Sequence, residues 1–424
     1  MNQVNLRDIT LIFFQISAML GVALIFGQLM RRLRQPAVLG ELIGGIVLGP
    51  TVAGHIAPQL FHCLFPGNPA ATQVRETLIG IGMLFFLFVA GLEVNLEHLR
   101  QKRMSVILSG LLGCILPFAL GFASVILFPG IWGGPNADRQ LLLALFIGTA
   151  LSISALPVIT RIMMDLRLIH QEIGSIIMTA ATMNDLIGWS LFAVLLCDLD
   201  LTNPWNDIGR ILSEVGIFSL LILGTGRWLG RPWLKWVRTA LEWPSGFISA
   251  IIILILMAAA LADIFGVHAT FGAFLVGVAL HQVFVGNDEE QVKEIIHQFA
   301  VSFFAPLYFV SIGLKADFAA NFDLPLVLIV ILLATIGKVT GASLGAWLGG
   351  IPRRKALAVG FGMNARGAME MILASVALDH GMIDQRIFVA LVTMALVTSM
   401  LSGPMLQWVL GPAAPKILPA GKQP

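Results

Sequence analysis

Apolar residues dominate this chain in long runs, and short polar or basic clusters separate them. The runs have no period of two, and each is about as long as a bilayer is thick, which requires roughly 20 residues of helix. They predict thirteen membrane-crossing helices, at about 9–29, 37–54, 77–97, 104–128, 141–163, 172–197, 207–229, 246–263, 267–283, 297–314, 323–348, 355–378 and 386–411. The polar break Asp263-Ile-Phe-Gly-Val-His268 separates the eighth from the ninth. The fold class expected from the pattern is therefore an all-α polytopic membrane protein.

Composition agrees with the pattern. Of the 424 residues, 57% are hydrophobic and 12% charged, against about 25% charged in a soluble domain. The net charge of +2 is too small to suggest a nucleic-acid partner. Cys63, Cys114 and Cys197 have no metal-ligand spacing and are odd in number, so neither a zinc site nor a fully paired disulfide framework is expected. Arg7 and Asp8 precede the first apolar run and Arg31, Arg32 and Arg34 follow it, which is the wrong flank for a cleaved signal peptide. With the N-terminus outside, eighteen basic residues fall in cytoplasmic loops and six outside: Arg7, Arg75, Arg139, Arg210, Lys315 and Arg386. That asymmetry favours an N-out, C-in protein of a bacterial-type inner membrane.

The chain carries an internal duplication. Ala37-Val-Leu-Gly-Glu-Leu-Ile-Gly-Gly-Ile-Val-Leu48 and Ala269-Thr-Phe-Gly-Ala-Phe-Leu-Val-Gly-Val-Ala-Leu280 share the pattern A-x-x-G-x-x-x-x-G-x-x-L. Phe88-Val-Ala-Gly-Leu in the third helix is matched by Phe309-Val-Ser-Ile-Gly-Leu in the tenth, one residue longer. Both matches are displaced by seven helices. An odd shift reverses direction, so the copies form an inverted-topology repeat, helices one to six against eight to thirteen. Such repeats place their site at corresponding interrupted helices near mid-membrane. The fifth helix has Ser152, Ser154 and Pro157, and the twelfth has Gly360-Phe-Gly-Met-Asn-Ala-Arg-Gly-Ala-Met-Glu370. Both are expected to unwind and cross.

A few polar residues stand where a continuous apolar helix would exclude them. Asp185 lies in the uncharged stretch from Gly174 to Leu196 and is the candidate carrier of a proton or a metal cation, one at a time. Asn184 beside it orients that carboxylate, caps the broken fifth helix or makes an ordinary packing contact. Thr149, Ser152 and Ser154 supply further oxygens, and Ser154 joins Asp185 as the expected ligand of Na+ or K+. Lys338 is too deep in the eleventh helix to reach water, and Asp185 is its expected partner. Arg366 and Glu370 are spaced i,i+4 and are expected to pair and to balance charge at the crossing. Glu41 reads equally well as a funnel residue or a cap; Glu93 and Glu97 read as solvated, and His268 and His281 as interfacial. Met363, Met369 and Met371 read as packing, with no cysteine or histidine cluster to make a copper site. No catalytic residue and no resident cofactor are expected, only transported Na+ or K+ and H+.

Taken together these residues resemble the monovalent cation:proton antiporter-2 family, with its Kef-type and NapA-type members. The similar stretches are Gln35 to Pro50, Leu84 to Glu93, Ala150 to Pro157 and Gly362 to Glu370, so the resemblance spans nearly the whole chain. It implies the NhaA/NapA-like antiporter fold and a homodimer in which a mobile core slides against a dimerisation domain. The implied division is residues 1–98 and 241–320 for dimerisation, 99–200 and 321–412 for the ion-transport core, 201–240 for a linker helix and 413–424 for a short tail. By resemblance Asp185 is the ion-carrying aspartate, Lys338 the core basic residue, and Ser152 and Ser154 lie beside the ion. Strongly electrogenic relatives have two adjacent aspartates where this chain has Asn184-Asp185, and electroneutral ones often have Arg at the position of Lys338. No Rossmann-type regulatory domain is expected after the last helix. The alternative transporter reading is cation-coupled symport of an organic solute, against which the buried Lys338 argues. Intramembrane aspartyl proteolysis needs two membrane aspartates, and only Asp185 qualifies.

Overall fold

The computed structural model describes residues 6–33, 35–66, 69–92, 103–134, 137–166, 168, 171–196, 204–265, 267, 269–281 and 287–411. Among them every regular element is helical. The first are α1 Leu6–Arg32, α2 Ala37–Leu48, α3 Ala53–Ile56, α4 Pro58–Leu64, α5 Pro69–Leu92 and α6 Arg103–Leu127. Then come α7 Ala137–Ser152, α8 Leu156–Asp165, α9 Glu172–Leu196, α10 Pro204–Ala240, α11 Ser245–Ile264 and α12 Ala269–Leu280. The last are α13 Asn287–Phe299, α14 Ala305–Lys315, α15 Phe318–Asn321, α16 Leu324–Leu348, α17 Arg353–Met363, α18 Ala368–Asp379 and α19 Gln385–Leu410. Among the described residues 8 helices are long and apolar enough to cross a membrane. Large apolar side chains are bare on their outer faces, Leu24 at 66% exposure and Trp228 at 82%, which suits lipid rather than water. The protein is an all-helical integral membrane protein.

Two helices extend beyond their apolar runs. α10 continues from the apolar stretch through Arg227, Arg231, Lys235 and Arg238 to Ala240. Charge ends an apolar window without ending the helix, which here runs on even through Gly230 and Pro232 despite their low helix propensity. The tenth expected helix starts early, at Asn287, and reaches Lys315 through a π-helical segment at Ala300–Phe304. The widened turn seats Phe304 on Gly82, where a Cβ would meet its ring at 2.5 Å, and stacks it on Phe85 at 5.4 Å.

The chain divides into two compact units. The first comprises residues 1–20, 62–95 and 193–308, and the second residues 21–61, 96–192 and 309–424. In the first, α5 crosses α12 at Gly91 and Gly277; a Cβ on Gly277 would lie 2.1 Å from the Phe88 carbonyl oxygen. In the second, α2 crosses α14 at Gly45 and Gly313, where a Cβ on either would lie 2.3 Å from the facing carbonyl, Val310 or Leu42. The four glycines are the motif glycines of the duplication. In each unit a helix with the A-x-x-G-x-x-x-x-G-x-x-L pattern packs on one that carries the Phe-Val and Gly-Leu match.

α16 approaches α6 along Gly337, Gly341, Gly345 and Gly349, one glycine per turn. Such a stripe lets two membrane helices touch backbone to backbone, which is where their attraction comes from when lipid is as apolar as leucine. A Cβ on Gly341 would sit 2.3 Å from the Leu112 carbonyl oxygen. Gly341→Leu is therefore expected to destabilise the purified protein by about 1–3 kcal/mol in thermal unfolding, the usual cost of overpacking. Gly80→Leu, at a glycine with open space around it, should change little. Equal losses would show that the close approach contributes nothing.

Candidate functional site

α7 loses its helical backbone after Ser152, and the chain turns helical again at Leu156 with α8. Pro157 stands in the first turn of α8, where a missing N–H costs nothing because no intrahelical acceptor exists there. α17 ends at Met363 and α18 starts at Ala368. The two gaps touch. Ala155 N donates to Ala365 O at 3.0 Å, and Ser154 Oγ donates to Met363 O at 3.0 Å.

A helix end leaves its last carbonyls without intrahelical donors and carries a partial negative charge. Two cations take four consecutive carbonyls at the end of α7. Arg366 donates through Nη1 to Ala150 O (3.0 Å) and Ile153 O (3.2 Å), and through Nη2 to Leu151 O (2.5 Å). Lys338 Nζ donates to Ser152 O at 2.5 Å. Arg366 also pairs with Glu370, Nη1 to Oε1 at 3.3 Å, with side chains 0% and 2% exposed. Glu370 lies in the first turn of α18, at the positive end of that helix. Among the described residues, Arg366 Nε and Glu370 Oε2 have no hydrogen-bond partner. Ser399 of α19 donates to the Arg366 carbonyl and fixes the backbone of the gap.

Asn184 of α9 is fully buried. Hydrogen bonding sets the direction of its amide: Nδ2 donates to Gly110 O of α6 at 2.6 Å, and Oδ1 accepts from Lys338 Nζ at 2.5 Å. The reverse direction would oppose donor to donor and acceptor to acceptor. Ser154 Oγ lies 3.5 Å from the same amide. Lys338 thus joins α16 to the end of α7 and to α9. Asp185 follows Asn184 in α9, but its side chain lies outside the described residues. The expected pairing of Lys338 with Asp185 therefore lies outside them too. Thr149 Oγ1 donates to Leu145 O and Ser152 Oγ to Thr149 O, each at 2.8 Å. Their hydrogens are committed within α7, while their lone pairs stay free to accept a proton or a cation.

The arrangement gathers oxygens and fixed positive charge. Among the described residues no group of three His, Cys, Asp or Glu could hold a metal. Glu41 of α2 is buried, and its Oε2 has no partner among the described residues. His281 meets the Leu92 carbonyl at 2.5 Å at the end of α12, whereas Glu93, Glu97 and His268 fall outside the described residues. Residue patterns missed one buried acceptor, Asn364 Oδ1, in the gap between α17 and α18. They also missed the Gly110 carbonyl and Ser399.

This is a membrane protein with an antiporter-type fold, as a solved structure bears out. The sodium proton antiporter MjNhaP1 from Methanocaldococcus jannaschii superimposes with a TM-score of 0.64 at 14% identity, covering 94% of this chain and 96% of that one. The chain belongs to the family described as "Sodium/hydrogen exchanger, transmembrane", whose pattern matches residues 19–411. It is 34% identical over 415 residues to Cation/H(+) antiporter 18 of Arabidopsis thaliana, covering 95% of this chain and 49% of that relative. The chain thus spans about half the length of the Arabidopsis relative. It is 31% identical over 407 residues to the Na(+)/H(+) antiporter NhaS4 of Synechocystis, covering 94% and 97%. The Na(+)/H(+)-K(+) antiporter GerN of Bacillus cereus is 30% identical over 412 residues, covering 97% and 99%.

Proposed function

We propose that this chain is a secondary active antiporter that exchanges Na+ or K+ for H+ across a bacterial-type inner membrane, with Asp185 as the shared cation and proton site. The carrying observation is the junction of the two helix gaps, where Lys338 and Arg366 occupy the carbonyls of residues 150–153 and Asn184 places the backbone of Asp185 beside them. Cationic side chains balance the negative helix end, so the carboxylate alone answers to the transported ion. Ser152, Ser154 and Thr149 add oxygen lone pairs, which suit alkali cations. Glu370 holds Arg366 in place.

Thirteen crossings follow when each interrupted helix is counted once, with the N-terminus outside. The reciprocal Gly45–Gly313 and Gly91–Gly277 contacts support the inverted repeat, because exchanging the copies exchanges one contact for the other. Access alternates by an elevator motion within a homodimer. The moving core comprises 99–200 and 321–412, most of which belongs to the second compact unit.

Exchange is electroneutral in this reading. One proton leaves Asp185 as one monovalent cation enters. Lys338, which donates to Ser152 O and Asn184 Oδ1, keeps its proton through the cycle in this reading. The test is exchange in proteoliposomes with Li+, Na+ and K+ in turn, at zero and at imposed membrane potential. Cation-driven proton flux with a rate indifferent to potential is expected. An absence of flux with every ion sinks the antiport reading. A cation-evoked current that disappears in Lys338→Gln would instead assign a second proton to Lys338.

A further inference from the structure

We propose that Asn364 Oδ1 is a direct ligand of the transported cation, contributed by the second helix gap, and that it helps to choose among the alkali ions. The inference rests on the antiport reading above and adds a residue to its site.

Asn364 is the first residue beyond α17, and its backbone N–H still reaches Phe361 O at 3.3 Å. The residues on either side of it bridge to the other gap. Met363 O accepts from Ser154 Oγ, and Ala365 O accepts from Ala155 N, both at 3.0 Å. Asn364 is therefore bracketed by the two bonds that join the gaps, one residue from the partner of Ser154. Its side chain is 4% exposed, and Oδ1 has no hydrogen-bond partner among the described residues.

The neighbouring acceptors are differently placed. The carbonyls of Ala150, Leu151, Ser152 and Ile153 each receive a cationic donor, and Asn184 Oδ1 receives Lys338. A buried amide oxygen left without a donor is costly; Glu370 Oε2 at the crossing shares that state, but it belongs to a carboxylate already paired with Arg366. A guest that brings positive charge and no hydrogen-bonding demand of its own satisfies it. An alkali cation is such a guest. A neutral amide oxygen raises the coordination number without altering the charge exchanged, so Asn364 tunes which ion is held and leaves the stoichiometry to Asp185. Two oxygens from opposite gaps, Ser154 Oγ and Asn364 Oδ1, would also tie ion binding to the geometry of the crossing.

The test is calorimetric titration of the purified full-length chain with LiCl, NaCl and KCl, with choline chloride as the ionic-strength control. The wild type is compared with Asn364→Ala and Asn364→Asp. Asn364→Ala should weaken the preferred ion by about tenfold, the cost of one lost ligand, and should change the ratios among the three ions. Asn364→Asp keeps an oxygen in place and should bind at least as tightly as the wild type. Affinities unchanged in Asn364→Ala, or weakened by one common factor, would overturn the proposal and leave Asn364 a packing residue or the seat of a water. If Asn364→Ala does not fold, weakened binding in a folded Asn364→Asp overturns it equally. A wild type that binds cations selectively through Asn364 yet moves no protons in proteoliposomes would remove the antiport reading and keep the ligand. A wild type that binds none of the three removes both.

Discussion

Asp185→Asn is expected to reduce cation-driven proton movement at least about a hundredfold, to the leak of protein-free liposomes, while the protein stays folded. The reasoning concerns what must be exchanged. An antiporter of this kind needs one group that is neutral with a proton and neutral again with a cation, and that is charged only in between. A carboxylate has both neutral states; an amide has neither. Carboxylates within membrane segments are costly enough that they persist mainly where they are used. The substitution should not collapse the site, because the described frame is built from other residues: Asn184 to Gly110 and Lys338, and Lys338 to Ser152. Elution volume and melting temperature close to wild type, with flux lost for Li+, Na+ and K+ alike, is the expected pattern. Flux retained at more than about a tenth of the wild-type rate would take Asp185 out of the mechanism.

Much of this organisation is legible in the chain because membranes make sequence honest. Each long apolar run has few alternatives to a helix. The helix gaps announce themselves too: Pro157 cannot donate a backbone bond, and three glycines with an arginine and a glutamate do not make a lipid-facing helix between 360 and 370. The residues at the crossing were identified by type. The partners of the cations were less legible. Lys338 invites a search for a carboxylate, and the nearest in sequence logic is Asp185. Among the described residues Lys338 donates to a backbone carbonyl and an amide, its expected pairing with Asp185 lying outside them, and Arg366 donates to four carbonyls besides Glu370. Every residue carries a carbonyl, so no sequence signal marks which of them lose their helical donor. That is decided by where α7 stops. Asn364 is hidden by the same ambiguity: a residue that breaks a helix and a residue that ligates an ion can be the same asparagine. The extension of α10 is a different failure, since an amphipathic helical turn and a basic loop look alike once apolarity ends.

Arg366→Met is expected to be the most destabilising substitution in the described site. Arg366 does two things at once, and a double variant separates them. It pairs with buried Glu370, and it donates to Ala150, Leu151 and Ile153. Removing one partner of a buried ion pair costs about 3–5 kcal/mol, because the other charge is left uncompensated. Each orphaned carbonyl adds a further cost of about 1–3 kcal/mol where water cannot reach it, although the contributions do not simply add. Methionine keeps the volume and supplies none of the bonds. Arg366→Met/Glu370→Met removes the stranded carboxylate and should recover part of the loss. It cannot recover the rest, because the end of α7 is still without its donors. Thermal unfolding of the four proteins in one detergent gives the coupling between the two positions. A double variant as stable as the wild type would mean that Arg366 serves Glu370 alone and that the carbonyl contacts carry no weight. A double variant that stays well below the wild type, yet above Arg366→Met, would show that a guanidinium ties the gap of one helix to the end of another. Lys338→Met, which among the described residues leaves the Ser152 carbonyl and Asn184 Oδ1 without their donor, should then cost less than Arg366→Met.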